Sequence, residues 1–129
     1  YDSHGIIHGK PKDREDAIKK IHAHSKQSVC GTAFCLDRKI FKDGQWILDR
    51  RIERYVESRY SFSVPENWLD RYLEHSWGMI ASGAIAIELY GAQFLRSIEG
   101  SSTAIMGLPM FELREALEEL GFFSSSFRA

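Results

Sequence analysis

Cysteine and proline are scarce in this sequence of 129 residues, which has two of the first and three of the second. Cys30 and Cys35 lie in a stretch that reads as a strand, where an odd offset points side chains to opposite faces. A disulfide needs Cα atoms within about 7 Å, so we expect two reduced core residues and a cytoplasmic protein. His22 and His24 precede them, but the spacing fits no standard zinc pattern. We therefore interpret both histidines as packing or surface groups.

Excess charge and long apolar runs are also missing. The chain has 17 Lys and Arg against 18 Asp and Glu, a net charge of −1, so it lacks the chain-wide basic footprint of a nucleic-acid-binding protein. Its most apolar stretch, Gly78–Ile87, contains Ser82 and runs into Glu88. A membrane span needs about 20 apolar residues, and no signal peptide is visible at the start. We expect neither nucleic acid nor membrane as a partner.

The composition that is present is that of a globular chain, with 43% hydrophobic and 27% charged residues. This length supports a single core. We predict one domain over residues 1–123 and a frayed tail over residues 124–129.

Along the chain, segments whose apolar residues recur at the spacing of a strand alternate with segments whose apolar residues recur at the spacing of a helix. This alternation predicts an α/β (α+β) fold with a mixed, twisted sheet and flanking helices. Asp13 is the expected N-cap of the first helix, Asp43-Gly44 the turn of a hairpin, and Ser63 with Glu66 a capping box. The predicted elements are a strand end over 1–7, a helix over 14–24, strands over 28–36 and from 46 onward, a helix that Ser63 caps and that ends near His75, strands over 84–89 and 93–98, and a helix from 108 to 121.

Two arginines interrupt the buried face of the long strand. Arg50 and Arg54 share the parity of Trp46, Leu48 and Ile52. The favoured interpretation is a strand that leaves the core at one end. The alternative is that both arginines face an anionic pocket.

A small polar group near the start could carry chemistry. Asp2 and Ser3 lie at the end of a presumed strand, and Lys10 stands just ahead of a helix N-terminus. Free N–H groups at that terminus and a lysine beside it would attract phosphate, and a nearby carboxylate could hold Mg²⁺ against the phosphates. The sequence contains no P-loop, no Gly-x-Gly-x-x-Gly and no nucleophile elbow. From residue types alone, solvated surface groups remain the alternative.

Two longer motifs resemble those of a known family. The run GKPKDREDAIKKI, preceded by Asp2-Ser3, is similar to the central segment of the Maf-like nucleoside triphosphate pyrophosphatases. The run GAQFLRSIEGSSTAIMGLP is similar to the closing motif of that family, and Glu88 stands where its members carry Gln or Glu. The resemblance covers essentially the whole chain. It implies a Maf/inosine-triphosphatase-like architecture.

The resemblance also implies an activity. Family members cut a nucleoside triphosphate between its α and β phosphates with the help of Mg²⁺ or Mn²⁺, as part of house-cleaning of the nucleotide pool. Asp2 matches the acidic residue that binds the metal or serves as base for the attacking water. Ser3 matches its hydroxyl neighbour, Lys10 the triphosphate-binding lysine, and Glu88 a residue near the nucleotide or metal.

The sequence departs from the family at its start. The Ser-x-Ser-Pro-Arg-Arg loop is absent, and Tyr1 replaces the usual small residue. These departures imply a fold that lacks the first third of the family and has an open sheet edge. We expect either a partner that covers this edge, in a homodimer for instance, or a longer native chain of which this sequence is a fragment. Two alternatives to an active pyrophosphatase stay open: a catalytically inactive remnant that binds nucleotides, and an interaction module that dimerises.

Overall fold

A long antiparallel hairpin organises the molecule. The computed structural model describes residues 1–125. Short 3-10 turns over 66–68, 78–80, 82–84 and 89–94 connect the regular elements. These elements are α1 (Arg14–Ala23), β1 (Gln27–Lys42), β2 (Gln45–Phe62), α2 (Leu69–His75), β3 (Leu95–Glu99), α3 (Ser102–Ile105), α4 (Met110–Glu119) and α5 (Phe122–Ser125).

The hairpin turns where the sequence predicts it. Asp43 and Gly44 have φ of 51° and 80°, as both central residues of a type I′ turn require. The three strands lie in the order β1-β2-β3, and within residues 1–125 every pairing is antiparallel. The predicted combination of helices and strands is confirmed, while the expected parallel pairing of a mixed sheet is not among these strands.

The main core lies at the end of β2 that α1 and α2 cover. Tyr60 and Phe62 point from β2 toward Ile21 of α1 and Tyr72 of α2. Phe94 completes an aromatic cluster, with ring centroids 5.6 Å from Tyr72 and 6.3 Å from Phe62. Burial of these large side chains, each worth about 1.5–3 kcal/mol, holds the helices to the sheet.

A second, smaller core lies farther along the hairpin. Ile52 packs there against Ala116 and Leu120, at the C-terminal end of α4. Arg50 and Arg54 flank Ile52, and both guanidinium groups reach the carboxylate of Glu119. The anion that faces these arginines is therefore a side chain of the protein itself. Beyond this point Trp46 and Leu48 keep the buried parity but are exposed, so the strand leaves the core as the favoured interpretation predicts.

Several predicted elements differ from the structure. Residues 1–7 are not a strand: Tyr1 exchanges two backbone hydrogen bonds with Val29, and a turn follows at once. Residues 84–89 are irregular rather than extended, and the strand predicted over 93–98 is β3, Leu95–Glu99. A short buried apolar run does not distinguish strand from buried coil, which explains the error.

The helix boundaries were predicted more closely. Asp13 caps α1 as expected, its carboxylate accepting from the N–H of Asp16 at 2.8 Å. The predicted capping box does not form, because Glu66 opens a 3-10 turn and instead binds His22 at 2.7 Å. Gly121, with φ 75°, ends the α4 region as predicted. Residues 124 and 125 belong to α5, and the rest of the predicted tail, 126–129, lies outside the described residues.

The two cysteines are free thiols on opposite faces of β1, as the strand period predicts. Cys30 packs against the main core, but Cys35 is exposed, which corrects the prediction that both are core residues. Within residues 1–125, no helix is both long and apolar enough to cross a membrane.

Candidate active site

A cleft of about 540 Å³ opens beside the main core, between the sheet and the irregular segment that precedes the 3-10 turn at Leu89. Thr32 and Tyr60 line it from β1 and β2. Residues 85–88 form one wall, and residues 105–107, at the end of α3 and just beyond it, form another. Lys10 closes the rim from the turn before α1. The cleft therefore gathers residues from both ends of the chain.

Lys10 is an exposed cation held at the rim by its backbone. Its carbonyl oxygen accepts a hydrogen bond from Nζ of Lys20 at 3.0 Å, and the preceding Gly9 carbonyl accepts one from the N–H of Gly83 at 3.0 Å. Within residues 1–125, no hydrogen bond or ion pair engages the ammonium group of Lys10. The ammonium is therefore available to an anion that enters the cleft.

The N-terminus of α1 is less open than the sequence suggests. The side chain of Asp13 takes the N–H of Asp16, and the side chain of Asp16 takes the N–H of Lys12 at 2.9 Å. The Lys20 ammonium lies 2.7 Å from Asp16 and helps hold the pKa of that carboxyl below its ordinary value. Carboxylates of the chain thus occupy two backbone N–H groups that a phosphate would otherwise use. The Lys10 side chain is left as the main anion-binding group.

Glu88 is the acidic residue of the cleft wall. It is half-buried, and its backbone carbonyl accepts the N–H of Gly91 at 3.0 Å. No hydrogen bond or ion pair to its carboxylate is found in the described part of the chain. Glu88 and Lys10, predicted from distant parts of the sequence, therefore line one cleft with unengaged charged groups.

Asp2 lies outside the cleft lining and is fully engaged. One carboxylate oxygen accepts the backbone N–H groups of His4 at 2.8 Å and Ile6 at 3.0 Å. The other lies 2.8 Å from Nε2 of His8, and only 2% of the side chain is exposed. The hydrogen bond from His8, followed by that from Ile6, holds the pKa of Asp2 far below its ordinary range. Asp2 is thus a buried anion that organises its own loop.

Ser3 lies beside Asp2 but faces outward. It is exposed, and its hydroxyl is 3.5 Å from Nδ1 of His4, a marginal hydrogen bond. Like Asp2, it is not among the residues that line the cleft. The structure brings Lys10 and Glu88 together and keeps Asp2 and Ser3 on a neighbouring loop.

A row of aromatic rings connects that loop to the cleft. The His8 and His24 ring centroids are 4.9 Å apart, and the His24 ring stacks 6.4 Å from Tyr60, which lines the cleft. Burial lowers the pKa of His24, whose Nδ1 lies 2.8 Å from the Lys20 carbonyl oxygen. The ring also packs closely on Gly83, because a Cβ there would lie 2.7 Å from Cε1. His24 is thus a packing residue, as predicted, between Asp2 and the cleft.

Sequence reasoning missed the side chains that build the walls. Tyr72 binds the backbone of residues 84 and 86, and Ser58 binds the backbone of Ser101 ahead of α3. Each contact joins residues that are far apart in sequence, so no local pattern indicated it. The sequence offered only two weak signs of these contacts. Tyr72 is a tyrosine on the apolar face of a helix, and Ser58 is a serine at a buried strand position.

Comparison with known proteins agrees with the resemblance in the motifs. The family model described as "Maf-like protein" matches residues 2–120. The "dTTP/UTP pyrophosphatase" of Neisseria meningitidis serogroup B (strain ATCC BAA-335 / MC58) is 32% identical over 124 residues, 95% of this chain and 57% of the relative. The protein of the same name from Shewanella sp. (strain MR-7) is 34% identical over 117 residues, 89% of this chain and 56% of the relative.

A relative with a broader name agrees. A "Nucleoside triphosphate pyrophosphatase" of Prochlorococcus marinus is 31% identical over 126 residues, 94% of this chain and 61% of the relative. The chain therefore spans a little over half the length of these relatives. The family model matches nearly all of this chain, from Asp2 to Leu120. The chain belongs to the Maf-like protein family.

Proposed function

We propose that the cleft binds a nucleoside triphosphate and that the chain contributes to its hydrolysis to a nucleoside monophosphate and pyrophosphate. Water would attack the α phosphorus, the bond from that phosphorus to the bridging oxygen would break, and pyrophosphate would leave. The observation that carries this proposal is that Lys10 and Glu88 line one cleft with unengaged charges. The printed names of the relatives support the same substrate class.

Lys10 is the proposed binding group for the triphosphate. A phosphate chain carries several negative charges, and a cation at the rim of a partly enclosed cleft attracts it more strongly than one on an open surface. The apolar side chains of Ile85 and Ile105 line the same cleft and offer contact to the sugar and base. The polar end of the substrate would therefore lie toward Lys10.

Glu88 is the cleft residue that could help hold a divalent cation, and residues 1–125 contain no group of three or more His, Cys, Asp or Glu side chains placed to hold one by themselves. Mg²⁺ is usually held by one or two carboxylates together with substrate phosphates, and Glu88 supplies one unengaged carboxylate in the cleft. Asp2 would join only after giving up the hydrogen bond from His8. When bound, Mg²⁺ or Mn²⁺ would offset the charge that develops on the phosphate oxygens.

Asp2 is proposed as the carboxylate that orients or deprotonates the attacking water, with Ser3 as its neighbour at the phosphates. This role requires its loop to move, because both oxygens are engaged within the chain. The same observation favours a second candidate function, in which the chain binds nucleotide without turnover.

Pyrophosphate release from a panel of standard and modified nucleoside triphosphates, with Mg²⁺ or Mn²⁺, tests the proposal. We expect Asp2→Asn to abolish turnover and Lys10→Ala to weaken substrate binding. Lys12→Ala is the matched control, because Lys12 lies in the same turn but does not line the cleft. Turnover in the wild type that neither Asp2→Asn nor Lys10→Ala reduces would reject the assigned roles. Calorimetric binding of nucleotide with no pyrophosphate would favour the second candidate.

The proposal includes a cellular compartment and an oligomeric state. The proposed compartment is the cytoplasm, where surplus nucleotides would be cleared and the exposed Cys35 thiol would stay reduced. β1 is an edge strand of the described sheet, and a second copy of the chain is the proposed cover for that edge. Sedimentation at increasing concentration would detect the dimer.

A further inference from the structure

Tyr72 is a fully buried tyrosine whose hydroxyl group contacts the backbone of the cleft wall. The hydroxyl donates to the carbonyl oxygen of Ala84 at 2.7 Å and accepts the N–H of Ala86 at 2.9 Å. Burial raises the pKa of Tyr72, which keeps the phenol protonated and able to do both. One oxygen atom on α2 therefore binds two points of the segment that ends at Glu88.

That segment, residues 84–88, has little regular structure to hold it. Ala84, at its start, and Leu89, just after its end, have φ of 58° and 49°. L-residues rarely adopt this left-handed conformation, because it brings Cβ too close to the following carbonyl oxygen. The segment forms no strand, and within residues 1–125 the Tyr72 oxygen is the acceptor found for the N–H of Ala86. A backbone strained at both ends needs such an external attachment to keep one conformation.

Two glycines make room for the attachment. A Cβ on Gly78 would lie 2.9 Å from Cε1 of Tyr72, and a Cβ on Gly91 would overlap the carbonyl oxygen of Ala86. The Tyr72 ring is also wedged against Phe62 and Phe94, with centroids 5.5 Å and 5.6 Å away. The phenol therefore cannot shift without moving the core or the segment.

We propose that the Tyr72 hydroxyl is a positioning group that fixes residues 84–88 and thereby aims Glu88 into the cleft. Tyr72 does not line the cleft and acts through the backbone. The inference rests on the proposed function for its consequence, the affinity for nucleotide. Its structural part, a fixed segment, can be tested without any nucleotide.

The first test is amide hydrogen exchange in Tyr72→Phe, which removes one oxygen and keeps the ring. We expect exchange over residues 84–88 to accelerate at least tenfold, while β1 and β2 keep wild-type protection. Unchanged exchange over residues 84–88 would overturn the proposal. General acceleration throughout the chain would also overturn it, because it would show a role in the core alone.

The second test is binding of α,β-imido-UTP with Mg²⁺, measured by calorimetry well below the unfolding temperature. We expect Tyr72→Phe to raise the Kd about tenfold, equivalent to about 1.4 kcal/mol. Ile52→Val is the control, because it weakens the smaller core without touching the cleft. An equal loss of affinity in the control would assign the effect to general destabilisation and overturn the proposal.

A double variant shows whether Tyr72 acts through Glu88. If it does, Tyr72→Phe should raise the Kd much less in a Glu88→Gln background than in the wild type. Full additivity of the two substitutions would contradict this route. If the wild type binds no nucleotide, the proposed function fails, and the exchange experiment alone decides the positioning role.

Discussion

At the scale of single residues, Asp2 shows how one engaged carboxylate makes a loop depend on pH. Its pKa is depressed in the folded state by the hydrogen bonds from His8 and Ile6. The stabilisation from Asp2 is therefore present above its unfolded pKa, about 3.9, and is lost as pH falls toward the folded value. We predict that Asp2→Asn is less stable than the wild type at pH 7 and that the difference shrinks below pH 4. Urea unfolding at pH 7, 5, 4 and 3 measures this.

The control for that series is Asp13→Asn, which keeps a side-chain oxygen at the N-cap of α1. We expect it to stay close to the wild type at neutral pH. A difference between Asp2→Asn and the wild type that stays constant from pH 7 to pH 3 would contradict the account of Asp2. The series also shows whether any loss of turnover in Asp2→Asn occurs in a folded protein.

At the scale of elements, the buried Ser58 side chain binds the start of α3. The Ser58 hydroxyl accepts the N–H of Ser101 and donates to its carbonyl oxygen, both at 2.9 Å, and Ser101 is the N-cap of α3. We predict that Ser58→Ala lowers the free energy of unfolding by about 1–2 kcal/mol, because two partly buried backbone groups lose their partner. We also expect weaker nucleotide binding, since residues 105–107 line the cleft. Urea unfolding and calorimetry measure the two effects.

Ser97→Ala is the comparison for Ser58→Ala, because Ser97 is exposed on the neighbouring β3. It should change stability by less than about 0.5 kcal/mol. A similarly small effect of Ser58→Ala would assign the anchoring of α3 to Thr32. The Thr32 hydroxyl donates to the carbonyl oxygen of Ala104 at 2.8 Å.

Elements with local signals were predictable from the sequence, and those held by distant contacts were not. Asp13 and the Asp43-Gly44 pair specify a helix start and a turn by themselves. The run over residues 84–89 is apolar enough for a strand, but its backbone is hydrogen-bonded to Tyr72, a residue of another element. In the site, the family motifs pointed to Lys10 and Glu88, which share the cleft. Neither motif revealed that the loop of Asp2 closes on its own carboxylate.

At the scale of the whole molecule, the two hydrophobic cores contribute unequally to the free energy of unfolding. The larger core joins α1, α2 and the end of β2 beside the cleft, whereas the smaller one is built around Ile52, Ala116 and Leu120. Regions with few buried apolar contacts open first. We therefore expect α4 to exchange its amide hydrogens faster than α2, and Ile52→Ala to widen that gap. The loss of a buried isoleucine should cost about 2 kcal/mol, at the low end for such sites because the surroundings are partly open.

Hydrogen exchange and nucleotide binding, measured on the same Ile52→Ala sample, show whether the cores are independent. We expect α4 to lose protection while α2, the wall at residues 84–88 and the affinity for nucleotide stay as in the wild type. Loss of protection in α2 to the same degree would show one cooperative unit instead. The long hairpin favours the first outcome, because it is the element shared by both cores and its ladder runs from the Gln27–Ser61 pair to the Lys42–Gln45 pair. A ladder of that length can stay formed beside the cleft while its far end loses the support of α4.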